Sequence, residues 1–143
     1  MSAEIRIVQS SDASRILSLY ESLGYRQGIA PDDTVWIAEA AGEPIGIVRI
    51  APEFGVLVLR GMRIAEPWRH RGLGTQMLRV LDAWLDGQDC YCVPYSHLPG
   101  FYRQIGFKEI MPEAAPPFLA ARLNDYKQRG LKVILMARLT HSK

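Results

Sequence analysis

Arg69-His70-Arg71-Gly72-Leu73-Gly74 is the stretch on which the reading of this sequence turns. It follows a strand-like run, Val56-Leu57-Val58-Leu59-Arg60-Gly61-Met62-Arg63-Ile64, and precedes an amphipathic run from Thr75 to Asp86. Strand, basic glycine-rich turn, helix: that is the order a phosphate-binding turn needs. Two glycines let backbone N–H groups turn inward and approach an anion closely. The following helix leaves its first four N–H groups without in-helix partners, and its dipole adds partial positive charge there. Arg69 and Arg71 add full charges in a fork geometry that matches phosphate oxygens. A glycine turn before a helix is also an ordinary tight connection, so these six residues alone do not decide a ligand. Two familiar loops are excluded by content. A P-loop needs Gly-Lys-Ser/Thr where Gly74-Thr75-Gln76 stands, and a dinucleotide fingerprint needs a small residue near Met77.

Arg69-His70-Arg71-Gly72-Leu73-Gly74 does fit Arg/Gln-x-x-Gly-x-Gly/Ala, and here the chain resembles the GNAT superfamily of acetyl-CoA-dependent N-acetyltransferases. Upstream, Arg63-Ile64-Ala65-Glu66-Pro67-Trp68 is similar to the family's strand end and approach to the turn. Downstream, Phe101-Tyr102-Arg103-Gln104-Ile105-Gly106-Phe107 is similar to its aromatic-Tyr-x-x-x-Gly-Phe segment. Two motifs in the right order are more specific than either alone, and the resemblance runs from residue 4 to residue 110. It implies an α/β GNAT fold over residues 1–143 as one domain, a mixed sheet of about six to seven strands with about four helices. It implies acetyl-CoA as cosubstrate, held by Met62, Arg63 and Ile64 along the pantetheine arm and by Arg69, His70, Arg71, Gly72, Leu73, Gly74 and Thr75 at the pyrophosphate. It implies Tyr102 as catalytic acid, and no metal.

Composition sets the outer bounds. With 143 residues, 48% hydrophobic and 22% charged, the chain is long enough to bury a core and is not of disordered type. A net charge of +2 is too small to imply a polyanion partner. Cys90 and Cys92 sit two apart on one face of a strand-like run, where bridging them would strain the strand. A reduced, cytoplasmic setting is the simpler reading. The opening Met-Ser-Ala-Glu-Ile-Arg puts charges where a signal peptide needs an apolar region, and no apolar run reaches the roughly 18 residues of a membrane span.

Working outward, Ile5-Arg6-Ile7-Val8 is an expected strand, followed by a helix on Ala13, Ile16, Leu17, Tyr20 and Leu23, capped by Ser10 or Ser11 and stopped at Gly24. Residues 25–34 read as a loop, either a surface connection or, by the resemblance, a cover for the acceptor. Val35–Ala40 and Ile45–Ile50 form an expected hairpin, and Pro52-Glu53-Phe54-Gly55 a break before residues 56–64. Gly61 within that strand suggests a bulge or the close approach of another backbone. The helix from Gly74 carries Met77, Leu78, Leu81, Trp84 and Leu85 on one stripe. Cys90–Val93, a short helix from Pro99, Phe107–Ile110, a helix on Phe118, Leu119, Leu123 and Tyr126, and a last strand over Leu131–Ala137 complete the order.

Acetyl transfer to an amine needs both substrates held in register, a donor for the developing oxyanion, and a proton for the leaving thiolate. Orientation alone can supply roughly 7–11 kcal/mol, and a backbone N–H near Ile64 is the candidate oxyanion donor. A phenol, with an ordinary pKa of about 10, is protonated at neutral pH and suits Tyr102 to the acid role. Packing of the short helix is the competing use for Tyr102. The base is unassigned: the fourth strand offers Arg60 and Arg63 rather than an acid, leaving Glu53, Glu66 and His97 as distant options. Asp32 and Asp33 are candidates to hold a cationic amine. Tyr95 stands where many family members carry Asn. A small-molecule amine or a peptide is the expected acceptor, and an exposed last strand suggests a homodimer. A catalytically silent CoA-binding module and a transferase for a longer acyl-CoA are the alternatives. Few aromatic residues interleave with Arg60, Arg63, Arg69 and Arg71, which argues against nucleic acid, and no membrane partner is expected.

Overall fold

Apolar runs broken by glycine turns build the first half of the chain. The structure, a computed structural model, describes residues 3–7, 13–22 and 29–140. Two units divide it, Met1–Leu81 and Asp82–Lys143. Seven strands and four α-helices lie among the described residues, the α/β content expected from the sequence.

In the first unit, β1 (Glu4–Ile7), β2 (Thr34–Ala40), β3 (Glu43–Glu53) and β4 (Val56–Ile64) pair antiparallel in sequence order. Ala41 and Gly42 (φ 51° and 79°) make the β2–β3 turn, and Phe54 and Gly55 (φ 49° and 85°) the β3–β4 turn. Successive left-handed residues are what a two-residue hairpin requires. Pro52 was expected to end β3, yet the strand continues to Glu53. Pairing with β2 stops at Ile50, so beyond it β3 has one neighbour and Pro52 sacrifices no ladder bond on the other side.

Two helices cover β2 and β3 on opposite faces. α1 (Ala13–Ser22) packs Ile16, Leu19 and Tyr20 against Val35, Ile37 and Ile47. α2 (Leu73–Leu85) lies on the other face, where Met77 Sδ is 3.2 Å from the place a Cβ on Gly46 would occupy. Gly46 and Ala38 are register partners and alternate with Ile47 and Ile37, which is how one sheet serves both helices. Met77, Leu78 and Leu81 are buried as expected, whereas Trp84 is half-buried. The expected cap at Ser10 or Ser11, the stop at Gly24, and Val8, Leu23 and residues 25–28 lie outside the described residues.

In the second unit, β5 (Cys90–Cys92), β7 (Met136–Arg138) and β6 (Lys108–Glu109) pair antiparallel in that order, with α3 (Pro99–Arg103) and α4 (Pro117–Gln128) between them in sequence. β7 is shorter than the expected Leu131–Ala137. Pro94 lacks the N–H a continued ladder needs, and residues 132–134 instead bond the 94–96 segment through Ser96 N to Lys132 O and Ile134 N to Pro94 O. β7 is also interior, flanked by β5 and β6, with Met136 and Ala137 buried. The exposed last strand that suggested a homodimer is therefore absent from this unit.

Cys90 and Cys92 are both buried thiols. Burial, then the neighbouring Cys90, pushes the Cys92 thiol well above its usual 9.0, and burial, then Asp89, raises the Tyr91 phenol from 10.0. A group whose folded pKa is raised stabilises fully below its unfolded pKa, and that stability is lost as pH rises through the folded value. The melting temperature should therefore start to fall as pH climbs past 9.0. At about pH 8, a thiol reagent should label neither cysteine until denaturant is added. Rapid labelling of the native protein would contradict this packing.

Candidate functional site

β4 carries an extra residue. Ile47 faces Arg63 and Arg49 faces Arg60, so Gly61 and Met62 together oppose Val48. Gly61, at φ 65°, supplies the left-handed residue of such a bulge. A Cβ there would lie 2.5 Å from the Tyr20 hydroxyl and 2.6 Å from Arg49 Nη1. The bulge expected from sequence is present, and two side chains approach it rather than another backbone.

Beneath the bulge sits Arg49, a charged residue that is 0% exposed. Its Nε lies 3.1 Å from Asp33 Oδ2, an ion pair whose angle falls short of a hydrogen bond. Its Nη1 makes a long contact of 3.4 Å to the Tyr20 hydroxyl, and the guanidinium stands 5.6 Å from the Tyr20 ring centre. Asp33 Oδ2 also accepts the Ala30 N–H at 3.0 Å, while the Asp33 N–H donates to Ala30 O at 3.1 Å. These bonds close the turn through Pro31 and Asp32. Asp33 is thereby committed to the fold, which corrects its expected use in holding an amine.

The basic turn follows β4 with little slack. The Ala65 N–H donates to Ile45 O at 2.8 Å, and one 3-10 turn, Glu66–Trp68, leads into the loop. Arg69 Nε donates to Ile64 O at 3.0 Å, tying the loop back to the end of β4. Arg71 stands over the Trp68 ring, 5.4 Å from its centre. Both arginines are exposed and both are held in place. His70 (φ 62°) and Gly72 (φ 83°) are left-handed on either side of Arg71, the kind of backbone that forms an anion-binding nest. The Gln76 N–H bonds Gly72 O at 3.1 Å, so Gly72 caps α2 and the helix starts at Leu73, one residue earlier than expected. The amides of Leu73 and Gly74 thus precede the in-helix ladder. Leu73 is buried and anchors that first turn.

Met62, Arg63 and Ile64 are half-buried at the end of β4, continuous with the turn of residues 69–75. Arg63 Nη1 donates to Met62 O at 2.9 Å. Arg60 pairs with Glu53 at 3.4 Å, which engages one suggested base and one suggested anion-seeking arginine with each other. Tyr102 belongs to the second unit. It is 6% exposed, edge-on to Phe101 (5.0 Å) and Phe107 (6.0 Å). His97 is exposed and stacks on Tyr95 at 5.9 Å. Arg49 and Tyr20 were not anticipated as site residues. The available signal was an arginine inside the otherwise apolar run Ile45–Ile50.

An acetyltransferase (GNAT) domain family model matches residues 31–109, more than half of the chain. The chain belongs to the GNAT acetyltransferase family. No curated protein matches this GNAT chain by sequence. Among solved structures it is similar to Escherichia coli ElaA, with TM-score 0.71 and 19% identity, covering 96% of this chain and 99% of that one. N-acetylglutamate synthase from Neisseria gonorrhoeae, complexed with coenzyme A and N-acetyl-glutamate, gives 0.69 and 16% over 99% of this chain. This GNAT chain spans only 36% of that synthase's length. An aminoglycoside 6′-N-acetyltransferase complexed with coenzyme A gives 0.64 and 15% over 98% of both chains. Among the described residues no group of three or more His, Cys, Asp or Glu could hold a metal ion, and no helix is long and apolar enough to cross a membrane.

Gly61 and Gly72 make a controlled comparison. Both have positive φ, but a Cβ at Gly72 meets nothing within 4 Å. Gly72→Ala should cost about 1–2 kcal/mol of left-handed strain. Gly61→Ala adds a clash worth about 1–3 kcal/mol more. Urea unfolding midpoints check this, and equal losses would contradict the close packing beneath the bulge.

Proposed function

We propose that this chain is an acetyl-CoA-dependent N-acetyltransferase that moves an acetyl group to the primary amine of a small molecule or peptide. The observation that carries the reading is the continuity of two features on one short segment. A bulged strand ends at Ile64, and a basic turn with left-handed His70 and Gly72 leads at once into the N-terminus of α2. Residues 1–143 act as one GNAT domain on this reading, since the family match crosses the boundary between the two units. Two buried thiols on one strand fit a reducing, cytoplasmic setting.

The residues present fit the cosubstrate. Arg69, His70, Arg71, Gly72, Leu73, Gly74 and Thr75 would hold the pyrophosphate through backbone N–H groups, the helix dipole and two preset guanidiniums. Met62, Arg63 and Ile64 would pair with the pantetheine arm. Bound acetyl-CoA supplies an acetyl group activated as a thioester. A backbone N–H near Ile64 would steady the oxyanion, and such a donor is typically worth about 2.7–4 kcal/mol. Tyr102 Oη would hold the proton that leaves with the thiolate, a role that rests on the aromatic-Tyr-x-x-x-Gly-Phe resemblance.

Burial of the Tyr102 ring between Phe101 and Phe107 is the observation that favours the second reading, a CoA-binding module without chemistry. A longer acyl-CoA is a further variant of the donor.

Thermal shift and kinetics test both readings together. Acetyl-CoA and CoA should raise the melting temperature, a control nucleotide should not, and Gly72→Glu should remove the effect. With an amine acceptor in hand, Tyr102→Phe should lower kcat about 10²- to 10⁴-fold. It should leave the shift with CoA intact. No shift at millimolar CoA would defeat the acetyltransferase reading, and unchanged kcat in Tyr102→Phe would return that residue to packing.

A further inference from the structure

We propose that Arg49 is a positioning residue for the cofactor strand: held by Asp33, it fixes with Tyr20 the backbone of the Gly61 bulge. The proposal rests on the reading of β4 as the strand that receives the pantetheine arm. Four elements meet at this point within the first unit: α1 through Tyr20, the 30–33 turn through Asp33, β3 through Arg49, and β4 through Gly61. The order of support can be followed atom by atom. The Ala30 N–H holds Asp33 Oδ2 at 3.0 Å, the same oxygen stands 3.1 Å from Arg49 Nε, and Arg49 Nη1 reaches the Tyr20 hydroxyl at 3.4 Å. Both ends of that last contact, Nη1 and the hydroxyl, lie within 2.6 Å of where a Cβ on Gly61 would be.

A bulge bends and twists the strand that carries it, so its direction sets where the amides of Met62 and Ile64 point. Glycine, being the most permissive residue, does not fix that direction by itself. The two polar groups that occupy the space of its missing Cβ do. Arg49 is 0% exposed and Tyr20 2% exposed. Neither is offered to a ligand, and an effect on ligand binding must pass through the strand. A stability role alone would need only that the buried charge be matched by Asp33. Contact with the bulge by the far end of the same guanidinium adds the geometric function.

The test separates the two roles. Replacing both charges with apolar groups of similar length, Asp33→Leu with Arg49→Met, removes the ion pair without stranding either partner, and such exchanges often leave stability unchanged or improved. CoA binding is measured by calorimetry on the full chain, with the melting temperature of each variant recorded beside it. The expected result is a Kd for CoA raised about tenfold or more in the double variant while the melting temperature stays near wild type. Tyr20→Phe, which removes one oxygen beneath Gly61, should raise Kd by a smaller factor. It also carries the test if the double variant does not fold. Wild-type Kd in a folded double variant, or in Tyr20→Phe should the double variant not fold, would overturn the proposal and leave Arg49 a structural charge. Failure of the wild-type protein itself to bind CoA would instead overturn the parent reading, and this one with it.

Discussion

A guanidinium taken wholly out of water is the constraint on which the first unit depends. Arg49 cannot stay charged inside the sheet without compensation, and Asp33 supplies it at 3.1 Å. Removing one partner of such a pair typically costs about 3–5 kcal/mol, because the other is left as an uncompensated buried charge. The partners come from a loop and from the middle of β3, so that requirement fixes the loop against the sheet. Gly61 must then be glycine, since the space beside it is already taken by Arg49 and Tyr20. The bulge is thus set by what is packed under it as much as by its own sequence.

From the bulge onward the chain has few choices. Arg69 returns to Ile64 O, Arg71 lies on Trp68, and buried Leu73 pins the first turn of α2. Each contact is modest, but together they hold cationic groups and backbone amides in one arrangement. Preorganisation of this kind lowers the ordering cost of binding. His70 in a left-handed conformation is part of that arrangement, and histidine is among the few non-glycine residues that adopt it with any frequency.

Much of this was legible in the sequence, for physical reasons that can be named. Near-continuous apolar runs in residues 35–40 and 45–50, glycine-bearing turns and the stripe of Met77, Leu78, Leu81 and Leu85 report on burial, which dominates folding. The lone Gly61 signalled its bulge because few other uses exist for glycine inside a strand. What stayed hidden depended on contacts between distant segments. Nothing local to Asp33 distinguishes a loop carboxylate open to a substrate from one committed to Arg49. The same holds for Glu53, whose partner Arg60 lies across the hairpin. Pro52 and Pro94 differ because a missing N–H matters only where a neighbouring strand would receive it: β3 has no β2 partner beyond Ile50, whereas residues 132–134 run beside Pro94. β7 read as an exposed last strand, although β6 lies beyond it.

The central claim is that the end of β4 and the turn after it form the seat of the cosubstrate. Amide hydrogen exchange with and without saturating acetyl-CoA tests it residue by residue. Slowed exchange should concentrate at Met62 to Ile64 and at Gly72 to Thr75, where backbone N–H groups are expected to meet the pantetheine arm and the pyrophosphate. Protection confined to other segments, with these amides exchanging at unchanged rates, would contradict the account.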